Sequence, residues 1–475
     1  MKVERLYRVF AIGVGVFYPY QSRPDEFILE RKQITDIIYD IEGSTVGVLP
    51  PERRDPIKPN AGATIGDYLP SDFVKQVSPV EHARKFNKFL PNSGWHVPKK
   101  LNSIQEAIGL TAALRALESA GINPSIFDET TPWLPKGETN GKPLRVAVGI
   151  NNSLGPLENQ ADAFRRGLDL KNLIILAKGG LSGHTNTAII SAINSQGPSI
   201  LHQAACATAL FNVNDAYRYL RDGEAELAIA GGFEVAADPL WIYILAFHKA
   251  IADYAKFQDD PRKAPSPGDK NLSGLAFTEG GSCVVFATAE TIDRLHIEPN
   301  RILAEIIAGK TGQDGIALIT PNPPRELPRV MKESLIQAEL SPDKIQGLIP
   351  HATGTWDGEI HDLVSARDIF NLPLREIKDP PDDAQPGKPS ITDPKSRTGH
   401  NMAGSGGLSI VTAFDILQRQ EFPATRNVVI PNGLVFNLVH ESNQPAKVEH
   451  LMVTAVGMDG TTGAVIYKRP PTDLP

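Results

Sequence analysis

The sequence predicts an α/β layered fold built from two like halves, and three observations carry that prediction. β-prone apolar runs alternate with amphipathic helical segments along most of the chain. The alternation restarts past the middle with a similar rhythm, although no sequence repeat is visible. At 475 residues the chain is also too long for one simple core.

The elements follow in order. The first strand is the run Val9-Phe10-Ala11-Ile12-Gly13-Val14-Gly15-Val16-Phe17. Lys2, Arg5 and Arg8 before it give it the look of a signal peptide. It is short, has no clear small-x-small cleavage site and is rich in β-branched and aromatic residues, so a buried strand is the better reading. Residues 19–100, with Pro and charge clustered around PPERRDPIKPNAG, read as an irregular, partly helical excursion over the surface. Ser103-Ile104-Gln105-Glu106 has the form of a capping box, and Ala107, Leu110, Leu114 and Leu117 make one face of a helix that Gly121 ends. A strand over 144–150, a polar Gly-containing loop and a small-residue helix over 184–195 come next.

The chain is organised around SILHQAACATALFNVNDAYRYLRDG. A β-prone approach gives way to a small-residue turn and then to a helix, with Leu210, Val213, Tyr217 and Leu220 at helical spacing and Gly223 as a stop. Cys206 therefore falls at a helix N-terminus, where free N–H groups and the positive end of the dipole favour a thiolate. Ala204, Ala205 and Ala207 leave the sulfur approachable. A nucleophile fits this position, and so does a buried cysteine acting as a small hydrophobe.

A strand over 227–230 runs into Gly231-Gly232. The Pro- and charge-rich FQDDPRKAPSPGDKN then reads as a surface crossover that separates a first half, 1–265, from a second, 266–475. Residues 275–286 read as two short β-runs around Glu279-Gly280-Gly281. The second half continues with a strand (302–308), a helix (327–340), a strand (345–349) and a helix (362–370). A Pro-rich insertion at 377–390, a Gly-rich turn, a helix (408–420) and strands at 451–456 and 464–467 complete it.

Composition excludes several classes of function. With 41% hydrophobic and 22% charged residues this is the make-up of a globular protein, and the net charge of −7 with no basic block gives nucleic-acid binding little support. No segment is long and apolar enough to span a membrane. Two cysteines, Cys206 and Cys283, make no disulfide framework, which suits a reducing, cytoplasmic setting. Cys283 lies in a β-run and reads as core.

Two clusters at strand ends in the second half carry chemistry. Leu348-Ile349-Pro350-His351-Ala352-Thr353-Gly354-Thr355 puts His351 just past an apolar strand. Lys395-Ser396-Arg397-Thr398-Gly399-His400-Asn401, followed by Ala403-Gly404-Ser405-Gly406-Gly407, puts a Lys and a His in a tight turn that opens a helix. Sites form where strand ends and helix starts converge in α/β sheets. One Cys and two His at such ends are the parts of thiolate chemistry assisted by imidazole donors. A metal site from His351, Glu359 and His361 matches no standard ligand spacing, and His361 reads as an ordinary polar helix-start residue. The 404–407 glycines lack the pattern of a phosphate loop or a dinucleotide fingerprint, and close strand–helix packing explains them better.

Taken together and in order, AACATA, AGGFE, FTEGGS, PHATGT, KSRTGHNMAGSGG and AVGMDGTTG make the chain resemble a β-ketoacyl-acyl carrier protein synthase, the Cys-His-His branch of the thiolase superfamily. The resemblance covers about 103–467 and the first strand. It implies a thiolase fold, a duplicated five-layer αβαβα architecture. It further implies that Cys206 accepts an acyl group, that His351 and His400 polarise a malonyl thioester during loss of carbon dioxide, and that Lys395 supports them, with Asp362 as its ion-pair partner. Thr353 and Thr355 would meet the carrier's phosphopantetheine arm, and the backbone N–H groups of Cys206 and Met458 would form an oxyanion hole.

The chain also departs from the family. Met458 stands where a Phe normally gates the acyl pocket, Ala209 replaces a frequent Gly, and Trp356 stands where Pro is common. A specialised fatty-acid or polyketide-type pathway follows better than a housekeeping role. No metal or redox cofactor is implied. Partners would be an acyl carrier protein and a second subunit, identical or related. An acyltransferase working without decarboxylation and a non-catalytic partner subunit are the rival readings. Retention of both His and of Cys206 argues against them, and the lack of a second Cys near the C-terminus argues against a thiolase proper.

Overall fold

The computed structural model describes residues 7–20, 23–28, 31–40, 94–96, 103–139, 141–155, 183–235, 245, 250–252, 257, 260–315, 325–381 and 385–471. Most of the 19–100 stretch lies outside these residues, as do the greater part of the loop after residue 151 and the middle of the 377–390 insertion.

In chain order the elements are β1 (Val9–Tyr20), β2 (Arg23–Ile28), α1 (Arg31–Tyr39), α2 (Ile104–Ser119), β3 (Val146–Asn151), α3 (His184–Ile193), α4 (Thr208–Arg221), β4 (Leu227–Glu234), β5 (Gly280–Thr288) and α5 (Ala289–Arg294). The second half comprises β6 (Ala304–Gln313), α6 (Glu326–Gln337), β7 (Gly347–Ile349), α7 (Trp356–Ile369), β8 (Ser390–Ile391), α8 (Lys395–Thr398), α9 (Ser405–Arg419), β9 (Glu421–Phe422), β10 (Gln444–Pro445), β11 (His450–Val456) and β12 (Thr461–Lys468).

The strand order is β3-β4-β5-β1-β6-β12-β11-β7-β8, with β2 hung on β1 and the β9–β10 pair separate. Read outward from the β1–β6 junction, the two sides match. β1 pairs antiparallel with β5, as β6 does with β12. β5 pairs antiparallel with β4, as β12 does with β11. β4 then pairs parallel with β3, as β11 does with β7. The duplication expected from the rhythm of the sequence is thus present in the pairing. By this pattern β5 belongs to the first half, so the halves divide between Thr288 and Ala304, later than the 265/266 boundary read from composition.

Three apolar clusters define the layers. The middle one joins α4 and α9 to inner faces of both halves, through residues such as Leu210, Val213, Val411, Phe414, Val14, Ala228, Val453 and Val465. The second packs α2 and α3 on the outer face of β1, β4 and β5. The third packs α6 and α7 on the outer face of β6, β11 and β12. The stack is helix, sheet, helix, sheet, helix. Helix α9 is buried from Ser405 through Leu417, as a middle-layer helix must be.

Close approach explains two glycine positions. A Cβ at Gly15 would lie 1.8 Å from the Ala112 carbonyl oxygen, so the glycines of β1 let the Ala-rich α2 settle directly on the strand. A Cβ at Gly232 would lie 2.3 Å from the Ala403 carbonyl oxygen, which brings β4 against the turn before α9. The strand read as ending at Ala230 continues through Gly231 and Gly232 to Glu234, because these residues keep pairing with Gly280–Cys283 of β5.

Other elements differ from the sequence reading. Helix α7 begins at Trp356, six residues earlier than 362, because Thr355 caps it by accepting from Gly358 N at 3.2 Å. The 275–286 stretch forms one strand, β5, preceded by isolated bridges from Leu275 to Ile251 and from Phe277 to His400. The stretch read as a surface crossover is buried over 264–269. Its polar groups are satisfied internally: Asp269 accepts from Val429 N and Ile430 N, and Gly268 N donates to Glu359.

Gly232→Ala is expected to destabilise the fold by about 1–3 kcal/mol, since the atom it meets is backbone and cannot rotate away. Thermal unfolding checks this; an unchanged midpoint would contradict the packing described.

Candidate active site

The two central helices are entered in the same way. A 3₁₀ turn over Ala205–Ala207 leads into α4, and another over Met402–Gly404 leads into α9. Each turn starts with a non-glycine residue in the left-handed region, Ala205 at φ 44° and Met402 at φ 46°. Each is tied by the first hydroxyl of its helix: Thr208 Oγ1 accepts from Ala204 N at 3.0 Å, and Ser405 Oγ accepts from Asn401 N at 2.8 Å. Duplication therefore sets two strained turns side by side, with Cys206 Sγ 3.9 Å from Met402 Sδ.

The three residues that sequence placed at separate strand ends meet here. His400 Nε2 lies 3.1 Å from Cys206 Sγ. The His351 ring stands edge-on to His400, with centroids 5.2 Å apart and planes at 76°. The sulfur and one nitrogen from each ring fall within 4.8 Å of one another, and all three residues are buried. Glu359 and His361 do not join this cluster. Glu359 accepts from the backbone of Gly268 and Gly354, while His361 is buried in α7, not exposed at a helix start, and its ring nitrogens meet no partner among the described residues.

Burial sets the protonation of the site. It pushes the Cys206 thiol up to about 12, and the carboxylates of Glu234 and Asp459 push the same way. The helix-start argument for a resting thiolate is thus outweighed by desolvation. Burial lowers His400 to about 3 and His351 well below the ordinary imidazole value, and the Lys395 ammonium adds to both effects. The resting triad is a thiol and two neutral imidazoles. Each neutral ring offers one N–H donor.

Lys395 is buried, with Nζ 3.4 Å from Pro350 O, at the strand exit that carries His351. Its ion-pair partner is Asp393, with Oδ1 at 3.6 Å, and Asp393 also accepts from Lys395 N at 2.8 Å. Asp362, expected in that role, instead accepts from Ala352 N and from Thr454 Oγ1, both at 3.0 Å. It fixes the backbone beside His351 and leaves the ammonium to a residue two positions from it in sequence. Buried Glu234, from the AGGFE motif, accepts from the backbone and hydroxyl of Ser153.

The remaining sequence candidates lie around this centre. Thr353 and Thr355 share a hydroxyl contact of 2.9 Å at the start of α7. Met458 sits in the turn between β11 and β12, 40% exposed. That turn is fastened to the Cys206 side by Thr461 Oγ1, which donates to Ala204 O at 2.9 Å. The side chains packed with the nucleophile are Met402, Phe277, Leu275 and Leu245. Of these, Met402 was hidden from sequence reasoning, since a left-handed methionine in a Gly-rich turn has no compositional signature.

Fold and site together define a class: duplicated five-layer α/β proteins with a buried Cys-His-His site where the two halves meet. Comparison with known proteins agrees. Residues 43–291 match the model of the beta-ketoacyl synthase N-terminal domain, and residues 303–429 match that of the C-terminal domain. The chain belongs to the beta-ketoacyl synthase family. It is similar to the 3-oxoacyl-[acyl-carrier-protein] synthase 2 of Coxiella burnetii, 28% identical over 337 residues, which are 70% of this chain and 77% of that one. Among solved structures, the ishigamide ketosynthase/chain length factor matches with a TM-score of 0.70 at 17% identity, covering 98% of this chain and 99% of that one. A type II polyketide ketosynthase in complex with its acyl-carrier protein matches with a TM-score of 0.70 at 15% identity, over 98% and 99% of the chains. At these identities the likeness in structure is one of fold.

With the thiol held up to about 12, alkylation of Cys206 by iodoacetamide is expected to be slow at pH 7 and to rise about tenfold per pH unit up to pH 9. Peptide mass mapping across pH checks this; a fast, pH-independent rate at pH 7 would show a resting thiolate.

Proposed function

We propose that this chain is a condensing enzyme that joins an acyl group held on Cys206 to a malonyl thioester carried by an acyl carrier protein, with loss of carbon dioxide. The observation that carries the reading is the placement of two neutral imidazoles, His400 at 3.1 Å and His351 edge-on to it, against a buried thiol.

In the first step the Cys206 sulfur attacks the acyl thioester carbonyl. The bond to the carrier's pantetheine sulfur breaks, and the thiol proton of Cys206 passes to that leaving sulfur, so no net proton is needed. Neutral thiol and neutral imidazoles suit such an exchange. In the second step the malonyl thioester loses carbon dioxide and its electron pair moves to the thioester oxygen. N–H donors of His351 and His400, aimed where that oxygen becomes negative, lower the barrier. The enolate carbon then attacks the acyl carbonyl, the carbon–sulfur bond to Cys206 breaks, and the departing sulfur takes up one proton.

Lys395 and Asp362 hold the backbone on either side of His351, through Pro350 O and Ala352 N. The reading calls for no metal or redox cofactor, because the sequence of steps is redox-neutral and its electrophiles are N–H groups. The backbone N–H groups of Cys206 and Met458 are assigned to the thioester oxygen on Cys206, and Thr353 and Thr355 to the pantetheine arm. Met458, as acyl-pocket gate, and the apolar wall of Met402 and Phe277 select the acyl chain. A specialised pathway, a cytoplasmic setting and a homodimer or a heterodimer with a ketosynthase-like subunit complete the proposal. The solved ketosynthases in complex with a carrier protein or with a chain length factor support its partners.

Intact mass after exposure to a panel of acyl-carrier thioesters, with Cys206→Ala as control, tests the reading. The expected outcome is an acyl adduct on wild type only, which malonyl-carrier converts to a longer product with release of carbon dioxide. Acylation without carbon dioxide would indicate simple acyl transfer, and no adduct with any donor would indicate a non-catalytic partner subunit. His351→Ala is expected to keep the adduct but to slow condensation by about 10²–10³-fold.

A further inference from the structure

We propose that Ser405 is a positioning residue that holds His400 with its ring proton on Nε2, so that His400 faces the nucleophile as a hydrogen-bond donor. This inference rests on the condensing role proposed for His400 and adds the residue that selects its tautomer.

Ser405 Oγ lies 2.8 Å from Asn401 N and 2.7 Å from His400 Nδ1. A backbone N–H can only donate, so Oγ accepts from Asn401 and its single hydroxyl hydrogen is free to go elsewhere. Among the described residues, His400 Nδ1 is the acceptor within reach of that hydrogen. Nδ1 must then carry the lone pair and Nε2 the proton, and Nε2 is the nitrogen 3.1 Å from Cys206 Sγ. The opposite tautomer would aim two N–H donors at Ser405 Oγ and leave its hydroxyl hydrogen without an acceptor. Ser405 is 1% exposed, so no solvent stands ready to take it.

The first half of the molecule supplies an internal control. Thr208 occupies the matching place, accepts from Ala204 N at 3.0 Å and donates its hydroxyl to Ala205 O at 2.7 Å. The same hydroxyl therefore accepts from the turn and donates to whichever acceptor stands beside it. In the first half that acceptor is a carbonyl; in the second it is the imidazole. A structural tie repeated in both halves has become, in one of them, the device that orients a ring.

The consequence concerns the two steps unequally. An Nε2–H form serves oxygen stabilisation during loss of carbon dioxide and cannot remove a proton from the Cys206 thiol. Ser405→Ala is therefore expected to lower kcat for carbon dioxide release from malonyl-carrier by roughly ten- to a hundredfold, with KM for the carrier unchanged. Ser405→Thr is expected to restore kcat, since Thr208 shows a threonine hydroxyl accepting from the matching turn N–H while donating to the acceptor beside it. Nitrogen-15 NMR of histidine-labelled wild-type protein, with His400 assigned by its loss in His400→Gln, reads the tautomer directly and does not depend on how Ser405→Ala folds. A proton on Nδ1 of wild-type His400 would overturn the proposal, as would full kcat in Ser405→Ala. A wild-type protein that releases no carbon dioxide would instead refute the condensing reading, and the NMR result would still decide the role of Ser405.

Discussion

The contact on which the rest depends is the 3.1 Å approach of His400 Nε2 to Cys206 Sγ. Neither residue reaches the other within its own half. Cys206 belongs to the turn that enters α4 and His400 to the turn that enters α9, and the middle layer places those helices together. The matched strand pairings on the two sides of the β1–β6 junction make the entrances equivalent, and equivalence brings them face to face. The site is therefore a property of the duplication.

Burial is the second constraint, and it acts on charge. A thiol pushed up to about 12 and imidazoles pushed down, His400 to about 3, make a centre that is neutral at rest. Lys395 is the exception, a buried ammonium held by Asp393 and by the Pro350 carbonyl. Its field works against protonation of either ring and thereby keeps both as neutral N–H donors. In a low-dielectric site fixed donors of this kind act at full strength on a developing oxyanion, because no solvent must reorganise.

Much of this was legible in the sequence, for identifiable reasons. Cys206 and His351 each follow a β-prone run and precede a turn or helix, and periodicity reports such transitions well, while His400 stands out by the tight Gly-containing turn that opens α9. Strands and helices of the second half fall within a few residues of their positions, apart from the start of α7 and the end of β6. The failures are three-dimensional. The partner of Lys395 is Asp393 and not Asp362 because the turn folds back on itself, which spacing along a helix does not reveal. The 264–269 stretch looks solvent-bound by composition, yet its polar groups are satisfied by α7 and by a loop, both more than 90 residues away. Ser405 sits among glycines that suggest only close packing, and its meaning appears only when α9 is compared with α4.

In the proposed reaction two neutral imidazoles, and not the nucleophile, drive the loss of carbon dioxide. The most direct measurement is release of labelled carbon dioxide from carboxyl-labelled malonyl-carrier by Cys206→Ala protein, which has no sulfur to accept an acyl group. Release is expected to continue without condensation and to disappear when His351 and His400 are both replaced by alanine. No release from Cys206→Ala, or undiminished release from the double histidine variant, would contradict this.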